Sequence, residues 1–172
     1  MKKYLIPALI IILVIIYFLL TRPTSKFNFN LNPTPTQEIV KEFAIGWNEI
    51  VDSGVKFKLE KNVNKGTRPQ IVLIETQLEE VVVPAKYVDK LIAGAKSAIP
   101  SLKISSDKRE SQEKYYSAVF TGTYINRNEK LNIIQQVYIK NNTVYVITAT
   151  FIGDLTQEIN TILNNIAKDK IL

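Results

Sequence analysis

One stretch limits the possible folds more than any other: Leu131 to Ile152, LNIIQQVYIKNNTVYVITATFI. Val, Ile, Tyr and Thr dominate both arms, and such residues suit a pleated, buried surface. Asn141-Asn142 divides the arms, and Asn tolerates the positive φ of a tight turn. A two-residue loop sets Ile139 opposite Val144 and Tyr138 opposite Tyr145. One face then carries Val137, Ile139, Val144 and Val146. The other carries Ile134, Tyr138, Tyr145, Ile147, Ala149 and Phe151. Neither face is polar, so the pair is expected at the centre of a sheet with cover on both sides.

The flanking chain supplies candidate partners. Val55 to Glu60 alternates like a strand, and Gln70 to Gln77 is a second strand beyond a polar loop, Asn62 to Arg68. Pro84 to Ile99 places Val88, Leu91, Ile92, Ala95 and Ile99 on one helical stripe, with Pro100 as the stop. A short strand is expected at Leu102 to Ser105, a charged turn at Asp107 to Glu113, and a longer strand at Tyr115 to Ile125. Asp154 can cap a last helix carrying Leu155, Ile159, Ile162, Leu163 and Ile166. Before all of these, Thr34-Pro35-Thr36-Gln37 resembles a helix start, and Val40, Phe43, Trp47 and Ile50 follow at helical spacing. The fold class expected is α+β: an antiparallel sheet covered by helices on both faces, an α–β–α sandwich, plus one N-terminal transmembrane helix.

The amino-terminal region is of a different kind. Tyr4 to Leu20 is a run of seventeen residues, apolar apart from Pro7 and the tyrosine hydroxyls. A helix of about 17–20 residues spans a bilayer core. Leu19-Leu20-Thr21-Arg22-Pro23 offers no small-residue cleavage site, so the segment reads as an uncleaved anchor. Lys2 and Lys3 favour a cytoplasmic start. The expected organisation is residues 1–3 in the cytoplasm, 4–21 across lipid, 22–34 as linker and 35–172 as an extracytoplasmic domain.

Composition removes whole classes of chemistry. The chain has no Cys and no His, which excludes disulfides, thiolate nucleophiles, His-based triads and most zinc sites. The net charge is +6, but Lys2, Lys3, Arg22 and Lys26 precede residue 27 and no acid does. Taking those four from the 22 basic residues leaves 18 against 16 acidic ones, so the domain gives little reason to expect nucleic acid. There is no glycine-rich phosphate loop, nucleophile elbow or EF-hand loop. No catalytic, cofactor or metal residue is therefore assigned. Lys56, Lys58, Lys61, Lys65 and Arg68 are the candidate contacts, to lipid headgroups or a partner. The plainer reading of the same charges, and the favoured one, is a solvated edge that discourages strand addition. The loops Asn62 to Arg68 and Asp107 to Glu113 are further places where a partner could bind.

From about residue 55 to 167 the order of elements resembles the PsbP-like superfamily. That group includes the photosystem II extrinsic protein, the Ran-binding nuclear-import factor and bacterial periplasmic PsbP-like and DcrB-like proteins. The resemblance rests on Arg68-Pro69-Gln70-Ile71-Val72, Ala85-Lys86-Tyr87-Val88, Ala98-Ile99-Pro100-Ser101-Leu102-Lys103-Ile104, the run Tyr138 to Thr150, and Ile159 to Ile166. Two departures stand out. Bacterial relatives often carry a lipoprotein Cys, absent here. Relatives usually open with a strand and Pro-x-x-Trp, of which Phe43-Ala44-Ile45-Gly46-Trp47 is a shortened echo. The resemblance implies binding or assembly, with no common catalytic residue. The function expected is a membrane-anchored protein-binding or assembly-accessory domain with a protein partner in the envelope. A small-molecule or lipid-binding domain and an unrecognised hydrolase are the alternatives.

Overall fold

A computed structural model describes residues 43–52, 55–64 and 66–172. The anchor and linker expected at 4–21 and 22–34, the helix start at Thr34, and Lys65 lie outside the described residues. Among the described residues, no helix is long and apolar enough to cross a membrane.

Seven strands form one antiparallel sheet: β1 (Trp47–Glu49), β2 (Phe57–Lys61), β3 (Gln70–Gln77), β4 (Lys103–Ser111), β5 (Tyr116–Asn126), β6 (Glu129–Lys140) and β7 (Thr143–Phe151). Their order across the sheet is β1-β2-β3-β7-β6-β5-β4. Two helices accompany them, α1 (Pro84–Ala98) and α2 (Thr156–Lys170). The fold is thus mixed α+β.

The β6–β7 hairpin has the register that its turn residues predict, with Ile139 paired to Val144 and Tyr138 to Tyr145. Asn141 takes φ 54° at the turn. The β5–β6 turn places Arg127 and Asn128 both at positive φ, 48° and 68°, which matches the right-handed twist of the flanking strands. β3 pairs with β7 along its whole length, from Gln70–Thr150 to Gln77–Thr143.

Three expectations are corrected. Trp47 does not continue a helix. Gly46 takes φ 83° and turns the chain, and Trp47–Glu49 then pairs with β2 as an edge strand. Phe43 is helical, but the helical spacing of Trp47 and Ile50 was a coincidence of apolar positions; residues 34–42 lie outside the described residues. Second, Asp107–Glu113 is mostly strand rather than turn. Lys103–Ser111 pairs with β5 through Ser111–Tyr116, with a bulge between Ile104 and Ser106. Only the following residues reverse the chain, where the Gln112 N–H donates to the Tyr115 carbonyl at 2.9 Å. Charges suit an edge strand because they discourage sheet-to-sheet aggregation. Third, Asp154 does not cap α2. The helix begins one residue after Leu155, with no side-chain cap.

The two helices lie on opposite faces and are staggered. Ile159, Ile162, Leu163 and Ile166 of α2 pack against Trp47, Phe57, Leu59, Ile71, Leu73, Ile134, Ile147 and Phe151. That cluster draws on β1, β2, β3, β7 and β6, and on nothing from β5 or β4. On the other face, Val88 and Leu91 of α1 pack against Ala118, Phe120, Val137, Ile139, Val144 and Val146. The end of α1 adds Ala95 and Ile99 over Leu102, Tyr124, Leu131 and Ile133. Both sides of the central hairpin are therefore buried, as its sequence predicts. The cover is nonetheless incomplete: no helix of the described residues lies over β4 and β5 on the α2 side.

Candidate functional site

The basic residues singled out in the sequence do not converge. Lys58 and Lys61 leave β2 on opposite faces. The Lys58 side chain is 3% exposed and sits between Glu60 at 3.0 Å and Asp52 at 3.5 Å. Glu60 also faces Arg68 at 3.7 Å. A buried ammonium needs such partners to offset its lost hydration. Lys56 pairs with Glu75 at 3.0 Å. Lys65 lies outside the described residues. Lys56 and Arg68 remain substantially exposed, and each already has a carboxylate nearby. The 62–68 loop is pinned as well: the Thr67 N–H and hydroxyl both donate to Glu129 Oε2, the N–H at 3.1 Å.

Lys61 belongs to a junction that ties the first strand to α2. Its Nζ lies 2.8 Å from Oε1 and 2.7 Å from Oε2 of Glu158. The Trp47 indole N–H donates to the same Oε1 at 2.7 Å. Partial burial would raise the Glu158 pKa, but the hydrogen bonds from Lys61 and Trp47 and the Lys61 charge outweigh it and lower it. A carboxyl lowered in the folded state stabilises the fold above its unfolded pKa, and that contribution is lost as pH falls through the folded value. Unfolding followed by the fluorescence of the single tryptophan should show it. Between about pH 6 and about pH 3 the wild-type chain should lose stability more steeply than Glu158→Gln, which keeps an acceptor but no titrating carboxylate. Parallel pH profiles would show that the junction contributes no charge-dependent stability.

The part of the sheet over which no helix of the described residues lies offers a more extended surface. On the α2 side, register fixes its rows. Lys103 of β4 lies beside Thr123 of β5 and Asn132 of β6; Ser106 lies beside Thr121 and Ile134. Lys108 lies beside Val119 and Gln136, and Glu110 beside Ser117 and Tyr138. Burial along β5 alternates accordingly: Ala118, Phe120 and Tyr124 are buried under α1, while Ser117, Val119, Thr121 and Thr123 are partly exposed. The Ser105 hydroxyl meets Thr121 Oγ1 at 3.1 Å and donates to its carbonyl at 3.2 Å, which holds the bulge. At the inner margin, Gln136 donates to Asn164 of α2 at 3.1 Å.

Strand β4 is held firmly from its other face. Arg109 reaches Asp89 of α1 at 2.8 Å and Asp107 at 2.7 Å. The Arg109 hydrogen bond lowers the Asp107 pKa, and its charge adds to the effect. Those charges are satisfied within the chain. Lys103, Lys108 and Lys130, on the uncovered face, have no ion-pair partner among the described residues. Among the described residues no group of three or more acidic side chains could hold a metal. The arrangement is suited to recognition. Its signal in the sequence was partial: Ser117, Thr121 and Thr123 share one phase of β5, interrupted by Val119, while Ala118, Phe120 and Tyr124 share the other.

No protein family matches the chain, and no curated protein matches it. Solved structures share its fold. LpqN of Mycobacterium tuberculosis, involved in cell envelope biogenesis, superposes with a TM-score of 0.56 at 17% identity, over 73% of this chain and 77% of LpqN. PA94 of Pseudomonas aeruginosa, a protein of unknown function, gives 0.54 at 13% identity, over 67% of this chain and 80% of PA94. At these identities the likeness is one of fold.

Proposed function

We propose that this chain is a membrane-tethered, extracytoplasmic domain of the PsbP-like kind that binds a protein partner during assembly of the cell envelope, without catalysis. The observation that carries the reading is the half-sheet beside α2, where β4 and β5 present Lys103, Ser106, Lys108, Thr121 and Thr123 on a domain otherwise packed around three apolar clusters. The apolar run Tyr4 to Leu20 supports the tether, and Lys2 and Lys3 support a cytoplasmic N-terminus. The shared fold of LpqN, whose role is in envelope biogenesis, supports the compartment.

Affinity purification of the full-length chain from detergent-solubilised membranes tests this. A stoichiometric protein partner is the expected result. Recovery of the chain from the soluble cytosolic fraction, or a small molecule retained in native mass spectrometry with no protein partner, would overturn it.

A further inference from the structure

Resting on that protein-binding reading, we propose that the β4 edge and the uncovered face beside it take an extended, acidic segment of the partner, added to the sheet as an eighth strand.

Several observations converge on this occupant. β4 is the last strand of the sheet, nine residues long and unpaired on its outer side among the described residues. An edge strand presents unpaired backbone N–H and C=O groups that an extended chain can satisfy. Arg109 bridges this strand to Asp89 of α1, and β4 pairs with β5 along its length, so the edge has support on its inner side. The charges on its two faces differ in kind. On the α1 side, Asp107 and Arg109 neutralise each other. On the α2 side, Lys103 and Lys108 have no ion-pair partner among the described residues, Lys130 stands behind them, and Glu110 closes the row.

Spacing selects an extended polyanion. Lys103 and Lys108 lie beside Thr123 and Val119, which are four residues apart on β5. At roughly 3.4 Å per residue this separates the two lysines by about 14 Å. That is a backbone separation, so a single small anion reaches both only if the two side chains bend toward each other, whereas side chains standing off the sheet meet two separate acidic groups. An extended strand with acidic residues four positions apart supplies two such groups, because those side chains share one face. Glu110 excludes a third acid at its end of the row and so helps set register. Between the lysines the floor offers Ser106, Thr121 and Thr123, which suit a polar chain. A second copy of this domain paired antiparallel along β4 would set Lys103 opposite Glu110, so it is an outcome of the test: a wild-type chain that dimerises through Lys103 and Lys108 and ignores the acidic peptide would overturn the proposal.

The test uses the full-length chain in detergent micelles and a nine-residue Thr/Val peptide carrying Glu at two positions four apart. The double variant Lys103→Glu/Lys108→Glu should bind this peptide at least about tenfold more weakly, since two cross-strand attractions become repulsions. The same variant should gain affinity for the peptide with both Glu replaced by Lys. Unchanged Trp47 fluorescence confirms that the variant is folded. N-methylation of alternate peptide bonds should abolish binding in one phase and spare it in the other, as strand addition requires. Equal binding by wild type and variant would overturn the proposal. So would stronger, Lys103- and Lys108-dependent binding to phosphatidylglycerol vesicles, which would assign the face to lipid. If the variant still recovers the stoichiometric partner from membranes, this surface is wrong while the protein-binding reading stands.

Discussion

Val146→Asp and Ile147→Asp are each expected to prevent the domain from folding. The two residues are neighbours on β7, so their side chains point to opposite faces of the sheet. Val146 is 1% exposed among the residues packed by α1, and Ile147 is 0% exposed among those packed by α2. An Asp at either position places a carboxylate in an apolar cluster with no cation to meet it. Burying such a charge costs several kcal/mol, a large share of the roughly 5–15 kcal/mol that holds a domain of this size together. Val119→Asp is the control. It lies on β5, on the uncovered face next to Lys108, and its cost should stay under about 1 kcal/mol. Urea unfolding of the three variants, followed through Trp47, distinguishes these cases. A cooperative, near-wild-type transition from either β7 variant would mean that one helix does not seal its face.

The contrast between those positions shows how far the sequence could be read. The central hairpin was legible because nearly every residue of Val137 to Phe151 is β-prone and neither face is polar, which demands cover on both sides. Its register followed from a two-residue turn. Helices α1 and α2 were legible from three- and four-residue apolar spacing. The first strand was not. Trp47 and Ile50 fit a helical period by chance, and only Gly46 at positive φ, together with pairing to Lys61, turns that segment into an edge strand. The charged run at Asp107 was misread for a related reason. Composition cannot tell a solvated turn from an edge strand, because both are wet along one side. The candidate surface escaped notice because stagger between helices is a tertiary property. Polar alternation in β5 hints at an open face, but how far each helix reaches over the sheet is decided by packing. The basic residues failed to form one patch for the simplest geometric reason: Lys58 and Lys61 are three apart on a strand, so they point to opposite faces.

Gly122→Ala should loosen the edge without touching either main cluster. Gly122 pairs with Ile104 on the N-terminal side of the β4 bulge. A Cβ there would come within 2.5 Å of the Lys103 carbonyl oxygen, 3.2 Å of its carbon and 3.3 Å of Ile104 Cα. All three are backbone atoms, so no side chain can swing away to make room. The strand itself must move. Overpacking of this kind costs about 1–3 kcal/mol, and the upper end is expected where backbone meets backbone. Displacing Lys103 also strains Leu102, which is buried beside Tyr124, Leu131 and Ile133 at the end of α1. Hydrogen exchange should therefore speed up across Lys103 to Ser106. Protection should persist in Lys108 to Ser111, where Arg109 still grips Asp89. Because an added strand needs an ordered edge to pair with, the variant should also lose affinity for the acidic peptide while keeping both lysines. Unchanged exchange and unchanged melting would show that the bulge accommodates a methyl group, and that the order of this edge does not depend on the glycine.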